Sequence, residues 1–107
     1  MDLSINSDFE NRCLEIVKDK IMALSEGVDG KIFLFGSRVR GDFRRGSDID
    51  VGFYNMGKSS FQKLKIQLGL YLEESIVPYH VDLVNFNLVN PEFSKIALKE
   101  IEVWKKG

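Results

Sequence analysis

The feature that most constrains the fold is the segment from Lys31 to Phe35, a short and almost wholly apolar run that Gly36 closes. Successive side chains of a strand point to opposite faces of a sheet, so a strand that is apolar at nearly every position is covered on both faces. The run therefore predicts a buried strand that ends at Gly36, with a turn or a short helix after it. Such a strand indicates a layered domain in which other elements pack against the sheet.

Three segments have the spacing of apolar residues that is typical of amphipathic helices. The first follows Ser7 and Glu10, which lie at capping-box spacing, and it stops near Gly27. The second spans residues 61–72. The third begins at residues 90–91, an asparagine cap followed by proline, and its apolar stripe consists of Phe93, Ile96, Ala97 and Ile101.

Two further segments alternate between polar and apolar residues as strands do. Residues 48–54 place Asp48 and Asp50 on one face and apolar side chains on the other. Residues 79–86 repeat the pattern, with Asp82 on the polar face. The order helix, strand, strand, helix, strand, helix predicts an α/β (α+β) fold, with a small mixed sheet of three to four strands packed against helices.

Composition indicates one domain and excludes several classes of protein. The 107 residues contain no linker and no internal repeat, so we expect a single domain over residues 1–107. The formal net charge of −1 argues against a protein that coats nucleic acid, which is not expected as the main partner. No apolar run approaches the ~18 residues that span a bilayer, and the first residues lack the apolar block that is typical of a secretory signal. Cys13 has no second cysteine to pair with, and we expect a cytoplasmic protein in which Cys13 is buried.

Two short motifs carry the chemistry. Asp48 and Asp50 leave one face of a predicted strand, so their carboxylates lie within reach of one Mg²⁺ ion, which prefers oxygen ligands. Gly36 and Ser37 follow a buried strand directly, where backbone amides and a hydroxyl can hold a phosphate. Each motif alone is weak evidence, because acidic pairs commonly face solvent and a glycine-serine pair is commonly an ordinary turn. Between the motifs lie four arginines, a cluster that elsewhere is often a solvated loop: Arg38, Arg40, Arg44 and Arg45.

In combination these residues resemble a known signature. Residues 36–41, Gly-Ser-Arg-Val-Arg-Gly, and residues 47–51, Ser-Asp-Ile-Asp-Val, are similar to the motif of the minimal nucleotidyltransferases in the polymerase-beta-like nucleotidyltransferase superfamily. The resemblance is tight over residues 32–53 and extends over most of the chain. It implies the polymerase-beta-like nucleotidyltransferase core, and it matches Asp82 to the third carboxylate of that family.

The resemblance also implies a division of roles. Asp48, Asp50 and Asp82 would be the catalytic residues and would bind Mg²⁺, with two ions expected. ATP would be the substrate, and its phosphates would be bound by Gly36, Ser37, Ser47 and at least one arginine. Arg40 is preferred among the arginines because it directly precedes the last glycine of the motif.

Other polar and aromatic residues have weaker assignments. His80 lies on the predicted strand face of Asp82 and could relay a proton or contact the nucleotide, although a lone histidine on a strand is more often structural. The aromatic residues Tyr54, Tyr71, Tyr79 and Trp104 are expected in the core or at its rim rather than as a platform for a base. Trp104 could instead mark a partner surface.

The chain further resembles the antitoxins found with HEPN-type toxin ribonucleases. That resemblance implies transfer of AMP from ATP to a hydroxyl of a partner protein, a tyrosine of a HEPN-type toxin. The small size favours such a reaction, because a stand-alone enzyme would usually carry a further domain to position its acceptor. Two alternatives remain open at this point. The chain could be an antitoxin that neutralises its partner by binding alone, or an oligomeric nucleotidyltransferase that acts on a small molecule or an RNA end.

Overall fold

The fold is known from a computed structural model that describes residues 3–41 and 47–107, with side chains from Asp8 onward. The element order is α1 (Leu3–Leu24), β1 (Lys31–Phe35), α2 (Ser37–Arg40), β2 (Ile49–Tyr54), α3 (Lys58–Glu73), β3 (Val81–Asn85), α4 (Pro91–Ala97) and β4 (Glu102–Lys105). The mixed α and β class that the sequence predicts is therefore confirmed. Among the described residues, no helix combines the length and the hydropathy that a membrane crossing requires.

The strands form one mixed sheet in the order β3-β2-β1-β4. β1 pairs antiparallel with both β2 and β4, whereas β2 pairs in parallel with β3. The register places Asp50 of β2 opposite Phe35 of β1 and opposite Asp82 of β3. This register brings the end of β1 and the two acidic strands together at one edge of the sheet.

One face of the sheet is closed by α1 and α3. Both helices contribute buried side chains to one apolar cluster with alternate residues of the strands. The helix residues include Val17 and Ile21 of α1 and Leu64 and Leu68 of α3. The strand residues in this cluster are Ile32, Leu34, Ile49, Val51, Phe53, Leu83 and Trp104. Cys13 on α1 is fully buried, as the sequence predicts.

The opposite face carries a smaller aromatic cluster. The rings of Phe33 and Phe35 each lie 5.0 Å from the ring of Phe86, in edge-to-face contact. Ala97 at the end of α4 packs against these rings. Gly52 lies on the same face, and a Cβ at that position would overlap the rings of Phe33 and Phe86. The glycine inside β2 is therefore required by the close approach of the aromatic rings.

The start of α1 differs from the sequence prediction. The helix begins at Leu3 rather than at Ser7, whose side chain lies outside the described residues. Glu10 is buried and forms an ion pair with Arg38 instead of serving a helix start. A capping box is a local signal, and here a tertiary contact accounts for the glutamate.

The predicted last helix is too long. Its cap is confirmed, because the Asn90 side chain accepts a hydrogen bond of 2.7 Å from the Glu92 amide. α4 ends at Ala97, however, and Ile101 precedes a strand, β4, that the sequence analysis missed. In β4 Trp104 is buried in the core, which rules out its role as an exposed partner surface. Pairing with β1, far away in the sequence, overrides the local helical spacing.

Candidate active site

Two of the three predicted carboxylates are neighbours on adjacent strands. Asp50 and Asp82 pair directly in the parallel ladder of β2 and β3. Asp50 is half-buried and Asp82 is exposed, and both line the same cavity. Residues directly opposite each other on one sheet face lie about 5 Å apart, close enough for like charges to repel. The fold thus holds two acidic side chains close together, although the pairing of the strands does not require acidic residues at these positions.

The surroundings raise the pKa of Asp50 above its ordinary value. Burial is the main cause, and the negative charges of Asp82 and Asp48 add to it. Positive charge on His80 and Arg40 acts in the opposite direction. The negative charges of Asp48 and Asp82 therefore both act on the ionisation of Asp50.

Asp48 occupies a different position from the other two. It is exposed, it precedes the first residue of β2, and it does not line the cavity. Within the parts of the chain that the structure describes, no three carboxylate, imidazole or thiol groups are grouped closely enough to hold one metal ion. The pair Asp50 and Asp82 nevertheless fits Mg²⁺, which proteins commonly bind through one or two carboxylates, with water and substrate phosphates as the remaining ligands.

The turn after β1 approaches the carboxylates closely. Gly36 has φ 83°, and a Cβ at this position would overlap the carboxylate of Asp50. Only glycine satisfies both conditions, since it adopts left-handed φ without strain and adds no atom on the side of Asp50. Ser37, the first residue of α2, follows directly and is half-buried. The predicted phosphate-binding turn and the predicted metal site are therefore adjacent.

The arginines of the motif separate into different environments. Arg40 is exposed and lines the cavity. Arg38 does not line the cavity, and its guanidinium donates hydrogen bonds to the carbonyls of Ser47 and Asp48. Ser47, expected to contact the nucleotide, also lies outside the cavity lining. The remaining two predicted arginines, Arg44 and Arg45, lie outside the described residues.

The cavity between the sheet, α2 and α4 has a volume of about 370 Å³. Its polar lining consists of the candidate site residues Gly36, Ser37, Arg40, Asp50 and Asp82. Its apolar lining consists of Phe35, Val84, Phe93, Ile96 and Ala97. A cavity of this kind can hold a ligand that has both charged and apolar groups. The sequence analysis placed the α4 residues on the apolar stripe of a helix, and spacing alone does not distinguish residues that line a pocket from residues of the core.

The remaining predicted residues lie around the cavity rather than in it. His80 is exposed just before β3, and its carbonyl accepts a hydrogen bond of 2.9 Å from the Ile49 amide. None of the three tyrosines lines the cavity. The sequence analysis missed the contact of Tyr79 with Arg38, whose guanidinium carbon lies 5.0 Å from the centre of the tyrosine ring. No sequence signal links these two residues, because they are distant along the chain.

Comparison with known proteins gives a family and several solved structures with a similar fold. The family model described as the nucleotidyltransferase domain matches residues 10–103. A crystal structure of a toxin-antitoxin with AMP-PNP has a TM-score of 0.59 and 22% sequence identity to this chain. The match covers 84% of this chain and 73% of the matched chain in that structure. A crystal structure of a toxin-antitoxin MntA–HpeT mutant has a TM-score of 0.58 and 20% identity, with the same two coverages. No curated protein sequence matches the chain. At these identities the two structures establish a shared fold.

Proposed function

Because the chain belongs to the nucleotidyltransferase domain family, we propose that it transfers AMP from ATP to a hydroxyl group of a partner protein. The observation that carries the proposal is the cavity in which Ser37 and Arg40 lie together with Asp50 and Asp82. A bound triphosphate needs hydrogen-bond donors and positive charge, and the cation that accompanies it needs carboxylates. This cavity supplies both sets of groups.

The residues have distinct roles in the proposed complex. Asp50 and Asp82 hold Mg²⁺, and Asp48 adds a third carboxylate when substrate is present. When bound, two Mg²⁺ ions neutralise the charge that develops on the phosphoryl group and the leaving group. The backbone of Gly36, the Ser37 hydroxyl and the Arg40 guanidinium bind the phosphates.

The proposed step is an in-line substitution at phosphorus. The acceptor hydroxyl oxygen forms a bond to the α-phosphorus of ATP, and the bond from that phosphorus to the oxygen bridging the β-phosphate breaks. The electron pair leaves with pyrophosphate, which Arg40 and Ser37 stabilise. The hydroxyl proton passes to the carboxylate of Asp82, which is exposed and can release the proton to water.

The acceptor that we propose is a tyrosine of a HEPN-type toxin, which makes the chain an antitoxin. Both structural neighbours are toxin–antitoxin structures, and one of them contains AMP-PNP. The other is a mutant with glutamate in place of two aspartates that lie two positions apart, the spacing of Asp48 and Asp50. The apolar wall of the cavity, with Phe93 and Ile96 on α4, suits a flat ring beside the reacting groups.

Intact mass spectrometry of the partner tests the proposal directly. A candidate HEPN-type toxin is incubated with ATP, Mg²⁺ and this protein, and the mass of the toxin is expected to rise by one or more AMP units. Asp50→Asn is the matched control, because the amide keeps the shape of the side chain but loses the charge that holds the cation. Neutralisation of the toxin without any mass increase would indicate an antitoxin that acts by binding alone. Rapid transfer to a small molecule or an RNA end without the toxin would contradict the protein acceptor.

A further inference from the structure

Of the three candidate carboxylates, only Asp48 lies outside the strand ladder. Asp50 is fixed on both sides, by pairing with Phe35 of β1 and with Asp82 of β3. Asp82 lies inside β3. Asp48 is exposed and precedes β2, so its direction depends on whatever holds the backbone just before the strand.

Arg38 contacts that stretch of backbone. Its Nε atom lies 3.2 Å from the carbonyl oxygen of Ser47 and 3.3 Å from that of Asp48. A terminal nitrogen of the same guanidinium donates a second hydrogen bond to the Ser47 carbonyl. A guanidinium is planar and presents several donors in a fixed fork, so it restrains the two neighbouring peptide groups together. A lysine ammonium offers no comparable geometry.

The guanidinium is itself held from two other elements. A terminal nitrogen of Arg38 lies 3.5 Å from a carboxylate oxygen of Glu10 on α1, and the two side chains are only 4% and 10% exposed. The Tyr79 ring lies 5.0 Å from the guanidinium carbon. Burial, followed by the negative charge of Glu10, raises the pKa of Tyr79, and a hydrogen bond to Glu10 contributes in the same direction. α1, the turn after β1 and the entry to β3 thus meet at one side chain.

Stability alone does not explain why a buried ion pair, rather than apolar contacts, joins these elements. Removing two charges from water costs several kcal/mol per ion, and well-packed apolar residues often stabilise a fold equally well. Fixed hydrogen-bond geometry is what an apolar replacement cannot supply. Here that geometry acts on the peptide groups of Ser47 and Asp48.

We propose that Arg38 is a positioning residue that holds the backbone at Ser47 and Asp48, so that the Asp48 carboxylate can join Asp50 and Asp82 on a divalent cation. Glu10 keeps the guanidinium in place. The inference rests on the proposed function, in which Asp48 is a metal ligand. Residues that orient metal ligands typically contribute 10- to 100-fold in metal affinity or activity.

The test measures Mn²⁺ binding by electron paramagnetic resonance in the presence of α,β-methylene ATP, which cannot be cleaved at the bond that reacts. Arg38→Lys keeps the positive charge but loses the fork, and its Kd for Mn²⁺ should rise about 10- to 100-fold. Glu10→Gln should raise the Kd less, because the amide still accepts a hydrogen bond. Arg12→Lys makes the same chemical change on the exposed side of α1 and should leave the Kd unchanged.

A second readout separates positioning from a merely structural role. With Arg38→Lys, the transfer reaction should be slow at low Mn²⁺ concentration and should recover as Mn²⁺ is raised, whereas KM for ATP at saturating metal should stay within about twofold of wild type. A general loss of folded protein would lower activity at every metal concentration alike. Recovery with metal therefore supports the proposal, and a uniform loss in a variant that melts cooperatively overturns it.

The outcomes distinguish this inference from the function on which it rests. If wild type binds Mn²⁺ with the analogue and a folded Arg38→Lys variant binds it equally well, the inference is overturned while the proposed function stands. If Arg38→Lys does not fold, Glu10→Gln decides, and wild-type binding by that variant overturns the inference. If wild type itself binds no Mn²⁺ in the presence of the analogue, the proposed function fails as well.

Discussion

At the scale of single residues, Gly36 links the backbone conformation of the turn to the geometry of the site. Its φ of 83° and the nearness of Asp50 both exclude a side chain. We expect Gly36→Ala to lower the melting temperature and to reduce nucleotide transfer by more than tenfold, because the methyl group displaces the Asp50 carboxylate. Thermal melts and initial rates of transfer measure the two effects.

Gly41→Ala is the matched control for that variant. Gly41 has a similar φ of 82°, but no described atom would lie within 4 Å of a Cβ there. The substitution carries the backbone strain, roughly 1–2 kcal/mol, without the collision. It should therefore lower the melting temperature and leave most of the activity. Equal activity losses in the two variants would show that strain, rather than contact with Asp50, accounts for the effect.

The raised pKa of Asp50 predicts a dependence of stability on pH. A carboxyl group whose pKa is higher in the folded than in the unfolded protein destabilises the fold when it is ionised. The penalty is complete above the folded pKa, shrinks as the pH falls through that pKa, and is absent below the unfolded value near 3.8. In EDTA, Asp50→Asn should therefore melt a few degrees above wild type at pH 7, and this advantage should disappear near pH 3 to 4. An advantage of the same size at both pH values would contradict the raised pKa.

The residues of the site were predictable from sequence where their spacing is local. Gly36, Ser37 and Arg40 follow one strand, and Asp50 follows within the same short motif, so the sequence places them close together, and all four line the cavity. Contacts between distant parts of the chain have no such signal. The ion pair of Glu10 with Arg38 joins α1 to the turn after β1, and a sequence pattern at Glu10 indicated a helix cap instead.

At the scale of elements, α3 contains a glycine that its packing does not require. A Cβ at Gly69 would meet no atom of the described residues within 4 Å, and Gly69 is exposed in the helix interior. Gly69→Ala should stabilise the protein by up to about 1 kcal/mol, because alanine loses less backbone entropy in a helix. For a domain of about 100 residues this is a rise in melting temperature of about 4–8 °C.

Gly52→Ala provides the contrast in a strand. Its Cβ would overlap the rings of Phe33 and Phe86, and overpacking of this kind commonly costs about 1–3 kcal/mol. The melting temperatures of the two variants should therefore shift in opposite directions, upward for Gly69→Ala and downward for Gly52→Ala. A Gly69→Ala variant that is no more stable than wild type would indicate that another surface contacts the outer side of α3 so closely that only glycine fits at this position.

The strands illustrate what local sequence patterns can and cannot predict. β1 has the bounds that its apolar run predicts. A strand that is buried on both faces requires apolar residues at consecutive positions, and a local sequence pattern can show this. β4 was missed because it has only four residues and pairs with β1, which lies much earlier in the sequence. Residues 98–101 continue the apolar pattern of α4, so nothing local marks the end of that helix. The buried Trp104 becomes understandable only once the sheet is complete.

At the scale of the whole molecule, the two faces of the sheet have opposite roles. α1 and α3 close one face with a continuous apolar core, which includes Phe53 and Leu68. The other face combines a small aromatic cluster with the pair Asp50 and Asp82 and leaves a cavity beside them. A domain of this size is stabilised by only about 5–15 kcal/mol, so repulsion between neighbouring carboxylates is a noticeable part of the total. Ligands that neutralise the pair should therefore stabilise the entire fold.

Asp82→Asn tests this coupling between site and fold. In EDTA the variant should melt above wild type, because the charge of Asp82 is one of the causes that raise the pKa of Asp50. With Mg²⁺ and α,β-methylene ATP the order should change, since a ligand stabilises a protein in proportion to the logarithm of its concentration over Kd, and the variant has lost a ligand for the cation. Wild type should gain several degrees, and the variant should gain markedly less. A variant that melts no higher than wild type in EDTA and gains fully from Mg²⁺ and the analogue would show that Asp82 does not share a cation with Asp50. The parallel pairing of β2 with β3 would then bring the two acids together without a catalytic consequence, and the proposed proton acceptor would have to be sought elsewhere in the cavity.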